Sequence, residues 1–181
     1  MPHAPSHAAH PHRKAAVERV ACWVITASDT RDHESDSGGA LLASLLEAGG
    51  HEVLGREIAR EDPEALGAAL DAALARDGVR AVLVTGGTGV APRDITPEVV
   101  RARLDREVPG FGELFRQLSY AEIGSAALLS RALGGLARGR VVLALPGSKG
   151  AIRLALEKLV LPELGHLAAE AVKGPAGRPE A

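Results

Sequence analysis

The chain has 181 residues, 46% of them hydrophobic, and a net charge of -2, which suits one domain with a full core. It lacks the basic field that recruits nucleic acid or anionic membrane, and two Phe, one Tyr and one Trp make no base-stacking platform. No apolar run approaches the ~20 residues of a membrane span, no signal-peptide apolar region is present, and Cys22 alone builds no disulfide framework, so a cytoplasmic location is expected.

Residues 1–15 scatter His3, His7, His10 and His12 among Pro and Ala at irregular spacing, and predict a disordered tail rather than a metal site. A single domain is expected over 16–172, with a second Pro/Gly-rich tail over 173–181. Val20 to Thr26 is a continuous apolar run that predicts a strand buried on both faces. Leu41, Leu42, Leu45 and Leu46 mark a helix ended by Gly49-Gly50. Val53 to Ile58 predicts a weaker strand, and Asp62-Pro63 opens a helix with its apolar face at Leu66, Leu70 and Leu74. Val79 to Thr85 is a third strand. A helix is predicted from Thr96, as hydroxyl N-cap before Pro97 and Glu98, to Leu104. Phe111, Leu114, Phe115 and Leu118 carry another. The stretch 121–139 fits either a helix or a short strand pair. Val141 to Leu145 is the fourth strand, and Ile152 to Val160 is the face of a long helix. Alternating strands and helices predict an α/β fold of three layers, a mostly parallel sheet with helices on both faces.

In such sheets ligands bind beyond the carboxyl ends of the strands. Polar and glycine-rich groups follow every predicted strand: Ser28-Asp29-Thr30-Arg31, Arg60-Glu61-Asp62, the loop from Gly86 to Asp94, and Pro146-Gly147-Ser148-Lys149. Gly86-Gly87-Thr88-Gly89 after a buried strand lets backbone N–H groups approach a phosphate. Asp94, beside that cradle, is suited to Mg²⁺. Asp36 and Asp62 also fit plain helix N-caps, and Pro146-Gly147-Ser148 a turn with a cap. Neither a Walker nor a Rossmann glycine pattern is present.

Thr85-Gly86-Gly87-Thr88-Gly89, Arg93-Asp94-Ile95-Thr96-Pro97-Glu98, Asp105-Arg106-Glu107-Val108-Pro109-Gly110-Phe111-Gly112-Glu113, Ser130-Arg131 and Leu145-Pro146-Gly147-Ser148 together resemble the MogA/MoaB family of molybdenum cofactor biosynthesis proteins. Ser119-Tyr120-Ala121-Glu122-Ile123-Gly124 and Ser35-Asp36-Ser37-Gly38 lean toward the MoaB branch. The resemblance implies a molybdopterin-binding fold and transfer of an adenylyl group from Mg²⁺-ATP to molybdopterin. It also implies a trimeric or hexameric homo-oligomer and hand-over to a molybdate-inserting enzyme. A non-catalytic molybdopterin carrier of the same family is the alternative.

By the same resemblance, Asp94 is the main catalytic carboxylate and, with Asp36, a Mg²⁺ ligand. The implied substrate-binding residues are Ser28, Gly86, Gly87, Thr88, Gly89, Arg93, Thr96, Pro97, Ser130, Pro146, Gly147 and Ser148. A further functional acid follows the second strand in the family. Here Glu61 aligns best with it, and a one-residue shift gives Asp62.

Overall fold

The computed structural model describes residues 19–173, so the tail expected over 1–15, and all but Lys173 of the one expected over 173–181, lie outside the described residues. The elements alternate as β1 (Ala21–Ala27), α1 (Ser37–Ala48), β2 (Glu52–Ala59), α2 (Pro63–Ala75), β3 (Ala81–Thr85) and α3 (Thr96–Arg101). There follow β4 (Arg106–Glu107), α4 (Pro109–Ile123), a 3₁₀ turn (Gly124–Leu129), β5 (Leu133–Ala137) and β6 (Arg140–Leu145). The chain closes with α5 (Lys149–Ala155), a π-helical turn (Leu156–Val160) and α6 (Leu161–Glu170).

The six strands form one sheet in the order β2-β1-β3-β6-β5-β4. β2, β1, β3 and β6 run parallel, while β5 and β4 are antiparallel additions at one edge. Register levels the carboxyl ends of the three central strands, because Thr26 pairs with Thr85 and Thr85 with Leu145. The chain leaves β1 toward β2 and returns on the other side at β3, so the topological switch point lies between β1 and β3.

The uninterrupted apolar strands exist because both faces are covered. On one face Cys22, Val24, Leu83 and Leu143 pack against Leu42 and Leu46 of α1, Phe115 of α4, Ile152 of α5 and Leu164 of α6. On the other, Ile25, Val82, Val84 and Val142 meet Leu66, Leu70 and Leu74 of α2 and Val99 and Val100 of α3. The fold is therefore the expected three-layer, mostly parallel α/β arrangement.

Four details differ from the sequence reading. Thr96 lies inside α3, whose cap position is Ile95 and makes no side-chain bond; the predicted helix start is one residue late. That helix stops at Arg101, not Leu104, and the chain turns toward β4. The stretch 121–139 splits into the end of α4, the 3₁₀ turn and β5, and β4 was not foreseen. Leu133-Gly134-Gly135-Leu136-Ala137 carries no alternation because its glycines admit close neighbours: a Cβ on Gly135 would lie 2.4 Å from the Arg106 carbonyl oxygen.

Candidate functional site

At the carboxyl end of β3 the chain turns at Gly86, with φ +98°, and Gly87, with φ +60°. The Gly86 N–H donates to the Leu145 carbonyl at 3.1 Å. A Cβ there would sit 2.4 Å from the Ala27 carbonyl oxygen, and one on Gly147 would be 3.3 Å from the Gly86 Cα. The Thr85 hydroxyl donates to the Pro146 carbonyl at 3.1 Å. The ends of β1, β3 and β6 thus close on one another at van der Waals distance. Over them opens a cleft of about 320 Å³ lined by Gly86 to Gly89, Asp94, Leu129, Ser130, Pro146 and Gly147.

Eight of the predicted residues therefore share one cleft: Gly86, Gly87, Thr88, Gly89, Asp94, Ser130, Pro146 and Gly147. Ser148 stands beside it as the N-cap of α5, its hydroxyl oxygen accepting the Ala151 N–H at 3.3 Å. Ser28 continues β1, its N–H donating to the Ala59 carbonyl at 2.9 Å and its hydroxyl oxygen accepting the Thr30 N–H at 3.3 Å. Arg93 is exposed at the tip of the glycine-to-helix loop. Thr96 and Pro97 are buried beneath it. The Thr96 hydroxyl has no partner among the described residues and lies 2.5 Å from where a Gly87 Cβ would stand.

The loop folds on itself around Asp94. Its Oδ2 accepts the Ala91 N–H at 2.8 Å, and its N–H donates to the Ala91 carbonyl at 2.9 Å. Gly89 is needed because a Cβ would approach Asp94 Oδ2 to 2.7 Å. Across the loop lies Arg131, whose Nε donates to the Gly89 carbonyl at 2.6 Å, with Nη2 on the Asp94 carbonyl and Nη1 on the Glu98 carboxylate. Desolvation would raise the Glu98 carboxyl. A bond to its own N–H and the Arg131 fork outweigh that and hold it below the usual carboxylate range. Ser130-Arg131 carries no role for Arg131 in the sequence alone, because nothing local says which backbone a surface arginine will reach.

Three further acids sort themselves by what they touch. Asp62 is occupied as the α2 cap, accepting N–H bonds from Glu64 and Ala65. Glu61 turns toward the glycine loop, its Oε1 3.5 Å from the position of a Gly87 Cβ. Desolvation first, then the charges of Asp29 and Asp94, push the Glu61 carboxyl above its ordinary value, with Arg93 opposing. Asp29, which also accepts the Glu61 N–H at 3.1 Å, is a member of this group that sequence reasoning left unassigned.

Asp36 is different: it is 3% exposed, and both oxygens are engaged. Oδ1 accepts the Gly39 N–H at 2.8 Å, and Oδ2 accepts the Thr26 hydroxyl at 2.9 Å with Arg56 3.7 Å away. It caps and anchors α1 and is not among the residues lining the cleft. Among the described residues no three His, Cys, Asp or Glu side chains converge at metal-ligand spacing. Glu61, Asp29 and Asp94 still suit a hard cation that takes one or two carboxylates and completes its shell with water and phosphate oxygens, the habit of Mg²⁺.

The profile described as "Probable molybdopterin binding domain" matches residues 23–166. Molybdenum cofactor biosynthesis protein B of Bacillus cereus is 51% identical over 160 residues, covering 88% of this chain and 95% of that protein. Among solved structures, a crystal structure of a molybdenum cofactor biosynthesis protein B superposes with a TM-score of 0.82 at 51% identity, covering 84% of this chain and 96% of that one. The tungsten cofactor synthesizing protein MoaB from Pyrococcus furiosus gives 0.74 at 34% identity, covering 87% and 100%.

Proposed function

Since the chain belongs to the molybdopterin-binding-domain family of molybdenum cofactor biosynthesis proteins, we propose that it is a molybdopterin adenylyltransferase. The single observation that carries the proposal is the cleft itself, where a glycine cradle, the Pro146-Gly147 turn ahead of α5 and Asp94 meet over three strand ends. In the proposed reaction the molybdopterin phosphate attacks the α-phosphorus of ATP. One P–O bond forms, the α–β bridging bond breaks, and pyrophosphate leaves.

The chemistry is mostly positioning and charge neutralisation. Backbone N–H groups of Gly87 to Gly89 would hold one anion, the Gly86 N–H being spent on the Leu145 carbonyl. Asp94, with Glu61 and Asp29 near it, would hold Mg²⁺, which neutralises charge on the triphosphate. Arg93, at the loop tip, is placed to meet a second anion entering from solvent. No side-chain nucleophile is required. A homo-oligomer, trimer or hexamer, and product hand-over to a molybdate-inserting enzyme belong to the same reading.

The test combines purified protein, molybdopterin, ATP and Mg²⁺, following adenylyl-molybdopterin and pyrophosphate together. The expected result is product that requires all three components and is abolished in Asp94→Asn with folding unchanged. Molybdopterin binding without product would overturn the adenylyltransferase reading in favour of a carrier.

A further inference from the structure

The geometry points to Arg131 as a positioning residue that sets where Asp94 stands over the glycine cradle, an inference that rests on the adenylyltransfer reading. The two halves of the loop are held by different means. The first half is tied to the sheet and to α3: Gly86 donates to the Leu145 carbonyl at 3.1 Å, and the Gly87 carbonyl accepts the Thr96 N–H at 3.1 Å. The second half, 89–94, hydrogen-bonds internally through Ala91 and Asp94. Among the described residues its hydrogen bonds to the rest of the molecule come from Arg131, at the Gly89 and Asp94 carbonyls. The segment otherwise stands in solvent, with Val90 60% exposed and Ala91, Pro92 and Arg93 exposed beside it.

Arg131 is itself firmly seated. Its N–H donates to the Thr88 carbonyl at 2.9 Å, and it lies two residues before β5, so the antiparallel edge of the sheet delivers it. Nε, Nη1 and Nη2 each take a different acceptor. A planar fork spans three acceptors at fixed angles, whereas a lysine ammonium is a single point on a flexible stem. Arg131→Lys therefore keeps the charge and a partner in Glu98 while releasing at least one loop carbonyl. Catalysis is sensitive to this: displacement of a reacting group on the order of 1 Å costs ~10²-fold.

The experiment compares the full-length wild type with Arg131→Lys, and with Glu98→Gln, which leaves both carbonyl contacts in place. Amide exchange in 89–95 is expected to rise about tenfold in Arg131→Lys while 82–87 stays protected, as a local opening requires. Adenylyl transfer should lose about 10²-fold in kcat with the molybdopterin KM held within about threefold, because the Gly86–Gly87 half is untouched. Glu98→Gln should fall by less than about fivefold in kcat, consistent with a screened surface partner. Unchanged exchange in Arg131→Lys overturns the proposal. So does a loss in which kcat and KM worsen together with exchange spreading into 82–87. A wild type that makes no adenylyl-molybdopterin overturns the functional reading instead, and the exchange comparison still decides the role of Arg131.

Discussion

Gly86→Ala isolates what the closure of the strand ends contributes, provided it is read against Gly50→Ala. Both glycines are in the left-handed region, with φ +98° and +88°. Backbone strain from an added Cβ is therefore nearly the same at the two sites, on the order of 1 kcal/mol. The surroundings are opposite. A Cβ on Gly50 meets nothing within 4 Å, whereas one on Gly86 would lie 2.4 Å from the Ala27 carbonyl oxygen, in backbone that cannot swing aside like a side chain. Relieving that contact means prising β1 from β3 at their carboxyl ends, an overpacking penalty of ~1–3 kcal/mol. Gly50→Ala should thus cost about 1 kcal/mol and Gly86→Ala about 2–4 kcal/mol, or roughly 2–4 °C and 5–15 °C in Tm for a domain of this size. Urea titration of both variants at one pH measures the difference directly, with m-values checked for equality. Equal losses at the two sites would refute the claim that the strand ends are closed at contact distance.

Glu61→Gln probes the acid group. A carboxyl raised in the native state binds its proton more tightly folded than unfolded, so its stabilising contribution is present at low pH and lost as pH rises through the raised value. The variant should match the wild type near pH 4 and become the more stable protein as pH rises above the ordinary glutamate value of ~4.3; a pH-independent difference in urea midpoint would contradict this. Asp36→Ala should cost about 2–4 kcal/mol, since it removes a cap and strands the Thr26 hydroxyl and Arg56, with Asp36→Asn milder. A loss under about 1 kcal/mol by calorimetry would show that this network stabilises nothing. Burial pushes the Cys22 thiol up to about 12, so it should not react with a thiol reagent at pH 8 until the protein unfolds. Rapid labelling of the native protein would show that β1 opens.

The parallel half of the molecule was legible because its strands are apolar on both faces and its helices carry their own punctuation. Asp62-Pro63 does cap and open α2, and Gly49-Gly50 does end α1. The antiparallel edge was not legible, because β4 is two residues long and β5 is glycine-rich for the sake of its neighbours rather than its own propensity. The same division runs through the site. The glycine loop and Asp94 announce themselves locally, by residue type after a strand. That Asp62 is spent on capping α2 while Glu61 faces the glycine loop takes the hydrogen bonds and contacts to see, since adjacent acids look alike in sequence. That Asp36 is buried and bonded to both Gly39 and Thr26 is a tertiary fact no local pattern carries. Arg131 was the hardest to read: its three side-chain acceptors lie 33 to 42 positions away in the sequence.

The cleft also has a place in time. Its floor joins Ala27, Gly86 and Gly147, so it cannot exist until chain segments about 60 residues apart have met twice over. Helices α1 and α2 need only local chain and can form early, while β6 enters the sheet between β3 and β5 after more than three quarters of the chain is laid down. Non-local pairing of this kind is slow relative to helix formation. Closure of the cleft should therefore be among the last events of refolding, lagging the recovery of helical signal. A nascent chain that has not yet extruded β6 would have the glycine loop against the end of β1 but no Pro146-Gly147 turn to complete the cleft.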